Sequence, residues 1–207
     1  GIKESLVAVF RKPSVILLSL AFSGMNFVGV GFLVWMPTFL HEKYGFSLAR
    51  AGFDATFYHH IAAFAGVLVA ARITDMLTAK IKRIRAIVPM LGLFFGAPFI
   101  YLMGTSGSLP VLYAALVLFG LFRGVYEANL WASIYDIVDV RYRSAATGFV
   151  LCFGLFVGAL SPYILGILKP AFGLANGFAC LSAVYVCSAL CILISVLFFY
   201  RKDLCET

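Results

Sequence analysis

Six apolar runs, each close to the length of a bilayer-crossing helix, fill this chain, and the segments between them are short and polar. A helix needs about 20 apolar residues to cross the hydrocarbon of a bilayer. Runs of that order occupy residues 14–40, 55–71, 86–103, 109–122 continued past Arg123, 144–168 and 170–200. The pattern predicts an all-α polytopic membrane domain over residues 14–200, a lead-in over 1–13 and a tail over 201–207. Almost nothing is left over for a soluble catalytic domain.

The polar positions inside these runs are patterned too. In the first run, Ser19, Ser23, Asn26 and Gly29 form one small-polar stripe on a helical face, and Trp35 suits a headgroup layer. Ser47 is placed to cap the second helix, which carries Asp54, Tyr58, His59 and His60 in its outer half. Ala62, Gly66 and Ala70 follow at every fourth position, a spacing that permits close helix contact. The fifth run is rich in small residues, among them Gly148, Gly154, Gly158, Ser161 and Pro162. The third and sixth runs are nearly featureless and read as lipid-facing. This order of polarity repeats after three helices, and a repeat of three crossings must be inverted in the membrane, as in many secondary transporters.

The fourth run holds the most telling residue. Arg123 lies in its middle, and Glu127 follows one turn later on the same face. A charge at that depth costs several kcal/mol, on the order of 3 to more than 10. Such residues face a bundle interior, a partner or a wet cavity, and by default mark a path for solute or ions. The alternative is a neutral pair that merely ties two helices together. Desolvation disfavours the charge of Glu127 while Arg123 favours it, which makes Glu127 a proton-coupling candidate. Asn129 lies about 200° round the wheel from Glu127 and points to a neighbouring helix.

Composition agrees with the membrane reading: 63% of residues are hydrophobic and only 12% charged, against about a quarter charged in soluble domains. The net charge of +7 does not suggest nucleic acid, because the cations alternate by loop. Lys3, Arg11, Lys12, Arg72, Lys80, Lys82, Arg83, Arg85, Arg141, Arg143, Arg201 and Lys202 would share one side; Lys43, Arg50 and Lys169 would hold the other. The positive-inside rule puts the first set, with both termini, in the cytoplasm. An even number of crossings fits that placement.

The cysteines do not form a disulfide or metal framework. Cys152, Cys180, Cys187 and Cys191 lie in apolar runs and Cys205 in the tail, where small apolar filler is the expected role. His59 and His60 point about 100° apart on a helix with no further ligand at i+4, so no metal is expected, and no cofactor. One of the two could titrate near neutral pH and line an outer cavity. Asp54 reads as a solvated cap or gate near outer water. The chain starts at Gly1 without a cleavable signal, and residues 2–10 form a short amphipathic lead-in. It reads as a piece that begins inside a longer chain.

Several stretches resemble the C-terminal six-helix half of a major facilitator superfamily transporter, over essentially the whole chain. Trp35-Met36-Pro37-Thr38-Phe39-Leu40, Gly45-Phe46-Ser47-Leu48 and Ala51-Gly52-Phe53 are similar to the first helix and outer loop of that half in bacterial organic-anion and sugar-phosphate carriers. Ala71-Arg72-Ile73-Thr74-Asp75, followed by Lys80, Lys82 and Arg83, resembles the superfamily's Gly-x-Leu-Ala-Asp-Arg-x-Gly-Arg-Arg loop. Ala71, Met76 and Thr78 depart from it. Arg141-Tyr142-Arg143-Ser144-Ala145-Ala146-Thr147-Gly148 looks like the matching later loop. Gly154, Gly158, Ser161 and Pro162 resemble a glycine-proline gating motif. Arg123 corresponds, across the two halves, to a buried arginine of proton-coupled members.

The resemblance implies one half of a twelve-helix fold, a missing N-terminal six-helix half as partner, and a multi-pass protein of the bacterial inner membrane. It implies alternating-access transport of a small polar solute, an organic anion or sugar derivative, with H+ as a candidate coupling ion. Arg123, Asn26, Tyr58, His59, His60 and Asn129 are the solute-binding candidates. Asp75 with Arg141 and Arg143 would form a cytoplasmic gate, held by a helix dipole and opposite charge. An intramembrane enzyme using His59, His60 and Asp54 would need an arrangement such as Gly-x-Ser-x-Gly or His-Glu-x-x-His, and neither occurs. A channel would need a filter-like loop or ring of charges, and none is visible.

Overall fold

The protein is described by a computed structural model covering residue 7 and residues 9–205. Most of the lead-in, including Lys3 and Glu4, and the last two residues of the tail lie outside the described residues. Among the described residues every regular element is helical: α1 (Pro13–Tyr44), α2 (Leu48–Thr78), α3 (Ile84–Thr105), α4 (Leu109–Glu127), α5 (Leu130–Ile137), α6 (Arg143–Ile194) and the short α7 (Tyr200–Asp203). A 3-10 turn at Val140–Tyr142 precedes α6, and a π-helical turn at Ser195–Phe199 follows it. Apolar surroundings offer the backbone no hydrogen-bond partner other than itself, which selects helices over open strands. Five helical stretches are long and apolar enough to cross a membrane: Pro13–Tyr44, Leu48–Thr78, Ile84–Thr105, Leu109–Ile137 and Val140–Asp203.

Local sequence sets the ends of these elements. Pro13 opens α1, where its missing N–H is no loss, and Gly45 closes it with φ 67° and an N–H donated to the His41 carbonyl. The Ser47 hydroxyl accepts from the Arg50 N–H at 3.3 Å, capping α2 as expected. The α4 segment departs from a continuous helix. The ladder breaks at Ala128 and Asn129, where the Asn129 N–H reaches back only to the Tyr126 carbonyl, at 3.5 Å. The α6 stretch bends at Gly173, whose φ of 72° and ψ of 159° no helix contains. Pro170, three residues earlier, removes one more backbone donor.

Helix packing runs through missing side chains. A Cβ on Gly66 would sit 2.1 Å from the Leu121 carbonyl oxygen, one on Gly120 2.2 Å from that of His59, and one on Gly124 2.0 Å from that of Ala63. The backbones of α2 and α4 therefore touch, as the Ala62-Gly66-Ala70 spacing predicts. Gly92 brings α3 onto Phe122 and Tyr126 of α4, and Gly104 brings it onto Ala175 and Ala179 beyond the Gly173 bend. These contacts correct the reading of the third run as simply lipid-facing: 50% of its central stretch is buried, against 28% for α2. α1 packs along α6, with Gly154 against Phe22, Gly158 against Asn26 and Gly31 against Ser161, and the Trp35 indole donates to the Pro162 carbonyl at 3.0 Å.

The charges sort to opposite ends. At one end, Lys43 donates to the Gly104 and Ser106 carbonyls at 3.2 and 2.7 Å, and Lys169 pairs with Glu42 at 2.6 Å. At the other, Lys12 donates to the Asp203 carbonyl at 2.9 Å and the Asp203 carboxylate accepts from the Ser14 N–H at 3.0 Å. That carboxylate sits on the positive end of α1, where the helix dipole favours it.

If the α2–α4 contact depends on the missing Cβ, Gly124→Ala should destabilise the bundle by about 1–3 kcal/mol, the usual penalty for an overpacked contact. Gly52→Ala, which adds a Cβ with nothing within 4 Å, should be neutral or slightly stabilising in a helix. Thermal unfolding of both variants in detergent measures the difference; equal melting temperatures would show that the interface yields.

Candidate functional site

The site is built on α4 and completed by α1 and α2. Arg123 donates from Nε to a Glu127 carboxylate oxygen at 2.9 Å, an i,i+4 pair within one helix. Its Nη1 lies 3.3 Å from Nε2 of His59 on α2, a contact that the Gly120 and Gly124 approach makes possible. On the third side Gly29 of α1 leaves only a hydrogen's width, since a Cβ there would lie 3.3 Å from Nη1. The Arg123 side chain is 17% exposed and that of Glu127 39%. The guanidinium is enclosed, and its carboxylate partner opens outward.

A guanidinium can only donate, so the His59 Nε2 facing it must accept. A neutral ring then carries its proton on Nδ1, and that atom is buried without a hydrogen-bond partner among the described residues. The ring is fully buried, with centroids 5.0 Å from Phe32 and 4.9 Å from Phe119. His59 thus sits in the bundle interior and does not line an outer cavity. His60 is exposed and bonds from Nδ1 to its own Thr56 carbonyl at 2.7 Å. The two rings stand at 90°, so only His59 joins the arginine.

Two tyrosines complete the surroundings. Tyr126 and Tyr185 are fully buried, their hydroxyls have no hydrogen-bond partner among the described residues, and both lie within electrostatic reach of Arg123 and Glu127. The sequence reading passed over both. Tyr126 was findable at three residues from Arg123, whereas Tyr185, 62 positions away, carried no local signal.

The remaining solute candidates stand apart from this cluster. Asn26 donates to its own Phe22 carbonyl at 3.0 Å and backs onto Gly158 of α6. Asn129 is buried and donates to the Thr74 hydroxyl at 2.9 Å, tying the α4–α5 break to α2 as its position on the wheel predicts. Tyr58 packs edge-on to Tyr113, centroids 5.2 Å apart, beside a shallow groove of about 520 Å³ lined also by Ala114, Val117 and Leu118. Asp54 is not a solvated cap. It is buried, accepts a short hydrogen bond from the Tyr113 hydroxyl and pairs with Arg50 at 3.4 Å, clamping α2 to α4.

The gate candidates do not meet in this structure. Asp75 is exposed at the end of α2, a helix that packs chiefly on α4, α1 and α3. Arg143 donates instead to the Tyr135 and Val138 carbonyls at 2.9 and 3.4 Å. Arg141 pairs with Asp139 at 3.2 Å; its side chain and backbone N–H hold the Asp139 carboxyl below the ordinary carboxylate range. The interhelical ion pair at this end is Arg85 with Asp136, at 2.8 Å, which the sequence did not single out.

Known proteins share both this fold and this sequence. The chain is 26% identical over 163 residues to a D-galactonate transporter of Escherichia coli O6:H1, covering 77% of this chain and 37% of that protein. It is 26% identical over 201 residues to a hexuronate transporter of Bacillus subtilis, covering 90% and 47%. To a protein of Escherichia coli K12 named "Probable L-galactonate transporter" it is 30% identical over 169 residues, covering 78% and 36%. The chain therefore spans less than half the length of each. Among solved structures, a bacterial homolog to the human lysosomal transporter Spinster, inward-facing and unoccupied, superimposes with a TM-score of 0.72 at 20% identity, over all of this chain and 52% of that one. The family model described as Major Facilitator Superfamily matches residues 2–162. On that match the chain, a multi-pass membrane protein, belongs to the major facilitator superfamily of transporters.

Proposed function

We propose that residues 1–207 form half of a secondary active transporter that moves a small acidic solute, a sugar acid or related organic anion, by alternating access. One observation carries this reading: an enclosed guanidinium in the middle of the Leu109–Ile137 span, whose one carboxylate partner among the described residues is 39% exposed. A planar guanidinium binds a carboxylate through two parallel hydrogen bonds. An incoming solute carboxylate competes with Glu127 for Arg123. Glu127, freed from Arg123, is the proton carrier in this proposal. That exchange couples solute to H+ without any further group. Three relatives are named as transporters of D-galactonate, hexuronate and, as probable, L-galactonate, which supports the same solute class.

The architecture in this proposal has six crossings, arranged as a three-plus-three inverted repeat over residues 14–200, with the lead-in before it and the tail after. Val140–Asp203 has 64 residues and would extend about 96 Å if straight, three times the thickness of the hydrocarbon. The bend at Gly173 lies at the end where Lys169 meets Glu42, which supports two crossings there. An N-terminal six-helix half supplies the other wall, consistent with the low burial of α2. Both termini and the basic end face the cytoplasm of a bacterial inner membrane by the positive-inside rule.

His59 holds the guanidinium in position. Asn26, Tyr58, His60 and Asn129 have supporting places along the path. Asp75, Arg141 and Arg143 act as a gate that closes in another conformation than this one.

In the full-length protein, Arg123→Ala should reduce saturable uptake of labelled sugar acids by about 100-fold or more, the scale of an uncompensated buried charge partner, while membrane insertion persists. Arg123→Lys should recover little, because an ammonium lacks the two-pronged geometry. Ordinary uptake by the alanine variant would reduce the pair to a strut between helices.

Glu127→Gln should retain counterflow of labelled solute in proteoliposomes yet lose accumulation driven by a pH gradient. Undiminished proton-driven accumulation in that variant would remove Glu127 from the coupling step.

A further inference from the structure

One cavity lies away from Arg123. It has a volume of about 1280 Å³ and lies at the basic end, where the α2–α3 turn, α5, the start of α6 and the segment after the π-helical turn converge. Six cations line it: Lys82, Arg83, Arg85, Arg143, Arg201 and Lys202, against the single carboxylate of Asp136. Retention of cations on one membrane face explains their number but not their convergence on one hollow.

Three of the six are held in fixed positions. Arg83 donates from Nη1 to the Val196 carbonyl at 2.9 Å, within the π-helical turn. Arg85 is pinned by Asp136 at 2.8 Å, and Arg143 by the Tyr135 carbonyl at 2.9 Å. The π-helical turn interrupts the regular ladder, and such turns recur at functional sites. Lys82, Arg201 and Lys202 are exposed and pair with nothing among the described residues. α3 also begins at this cavity, so its positive end adds to the same field. Beside Thr78, Tyr135 and Cys205, the rest of the lining is aliphatic: Ile81, Ile87, Val196, Leu197 and Leu204, and Leu197 and its neighbour Phe198 are 58% and 61% exposed on the bundle surface.

We propose that this cavity binds the phosphodiester headgroup of an anionic phospholipid, with Lys82, Arg201 and Lys202 as the cations that the headgroup neutralises. A soluble phosphate would use the cations alone. A lipid uses both halves of the lining, its phosphate on the cations and its chains along Ile81, Leu197 and Phe198. Basic pockets between membrane helices favour such headgroups.

The test is lipid retention by the purified full-length protein, read by native mass spectrometry after exchange into detergent with equal phosphatidylglycerol and phosphatidylcholine. Phosphatidylglycerol should be retained by about tenfold or more over phosphatidylcholine, as expected for several cations near one phosphate. The triple variant Lys82→Gln, Arg201→Gln, Lys202→Gln should abolish the preference, whereas Arg72→Gln with Lys80→Gln, exposed cations outside the cavity, should keep it. Should the triple variant not purify as a single species, K82Q and K202Q alone should each lower the preference severalfold. Equal retention of the two lipids, or a preference that survives the cavity substitutions, overturns the proposal. Equal loss in the control pair reduces it to general surface charge. Displacement of the lipid by millimolar inorganic phosphate assigns the site to a soluble anion and overturns the lipid. None of these outcomes depends on solute uptake.

Discussion

A guanidinium surrounded by hydrocarbon must be given hydrogen-bond acceptors by the protein itself, and in this bundle three helices are arranged around that demand. Glu127 supplies a carboxylate oxygen at 2.9 Å from the same helix, and His59 a ring nitrogen at 3.3 Å from the next. Gly29 of the first helix leaves the room that any side chain would take. The histidine can be there only because Gly120 and Gly124 let α2 come down onto the α4 backbone. Phe32 and Phe119 then hold the ring so that it cannot turn away. Removing Arg123's partners would leave a charge without solvation; removing Arg123 would leave the Glu127 carboxylate and the buried His59 imidazole without a cation.

Opposite treatments of charge mark the two ends of the molecule. At the end with few cations, each is tied down: Lys43 to the α3 end, Lys169 to Glu42, Arg50 to Asp54 and through it to Tyr113. At the basic end, six cations line one hollow beside a single lining carboxylate, and Lys82, Arg201 and Lys202 among them pair with nothing among the described residues. Asp54 and Asp136 take equivalent parts, each a carboxylate clamping two helices beside a tyrosine-containing contact.

Much of this was legible in the residues. The Ser47 cap, the small-residue spacing at Ala62, Gly66 and Ala70, and the outward turn of Asn129 from Glu127 are one-dimensional signals, because each concerns a helix end or a helix face. The pairing of His59 with Arg123 was not legible: 64 positions separate them, and only the depth of the Gly120 and Gly124 contact makes them neighbours. The same holds for Asp54. A carboxylate near a helix start reads as solvated until Tyr113 is seen to reach it. The third run reads as lipid-facing by composition, yet Gly92, Gly96 and Gly104, unremarked as glycines in an apolar run, are its docking points on α4 and α6. The break at Ala128 and Asn129 has no proline or glycine to announce it.

The glycine contacts also bear on how such a bundle can move. Where backbone meets backbone, at Gly66, Gly120 and Gly124 between α2 and α4 and at Gly92 between α3 and α4, sliding by one turn would drive carbonyls into Cβ atoms. Those three helices are therefore mechanically a single plate. α1 meets α6 through Phe22, Trp35 and serine side chains, which can change rotamer. Side chains that can change rotamer thus lie along that seam, and Gly29, which makes room for the Arg123 guanidinium, sits on the helix that borders it.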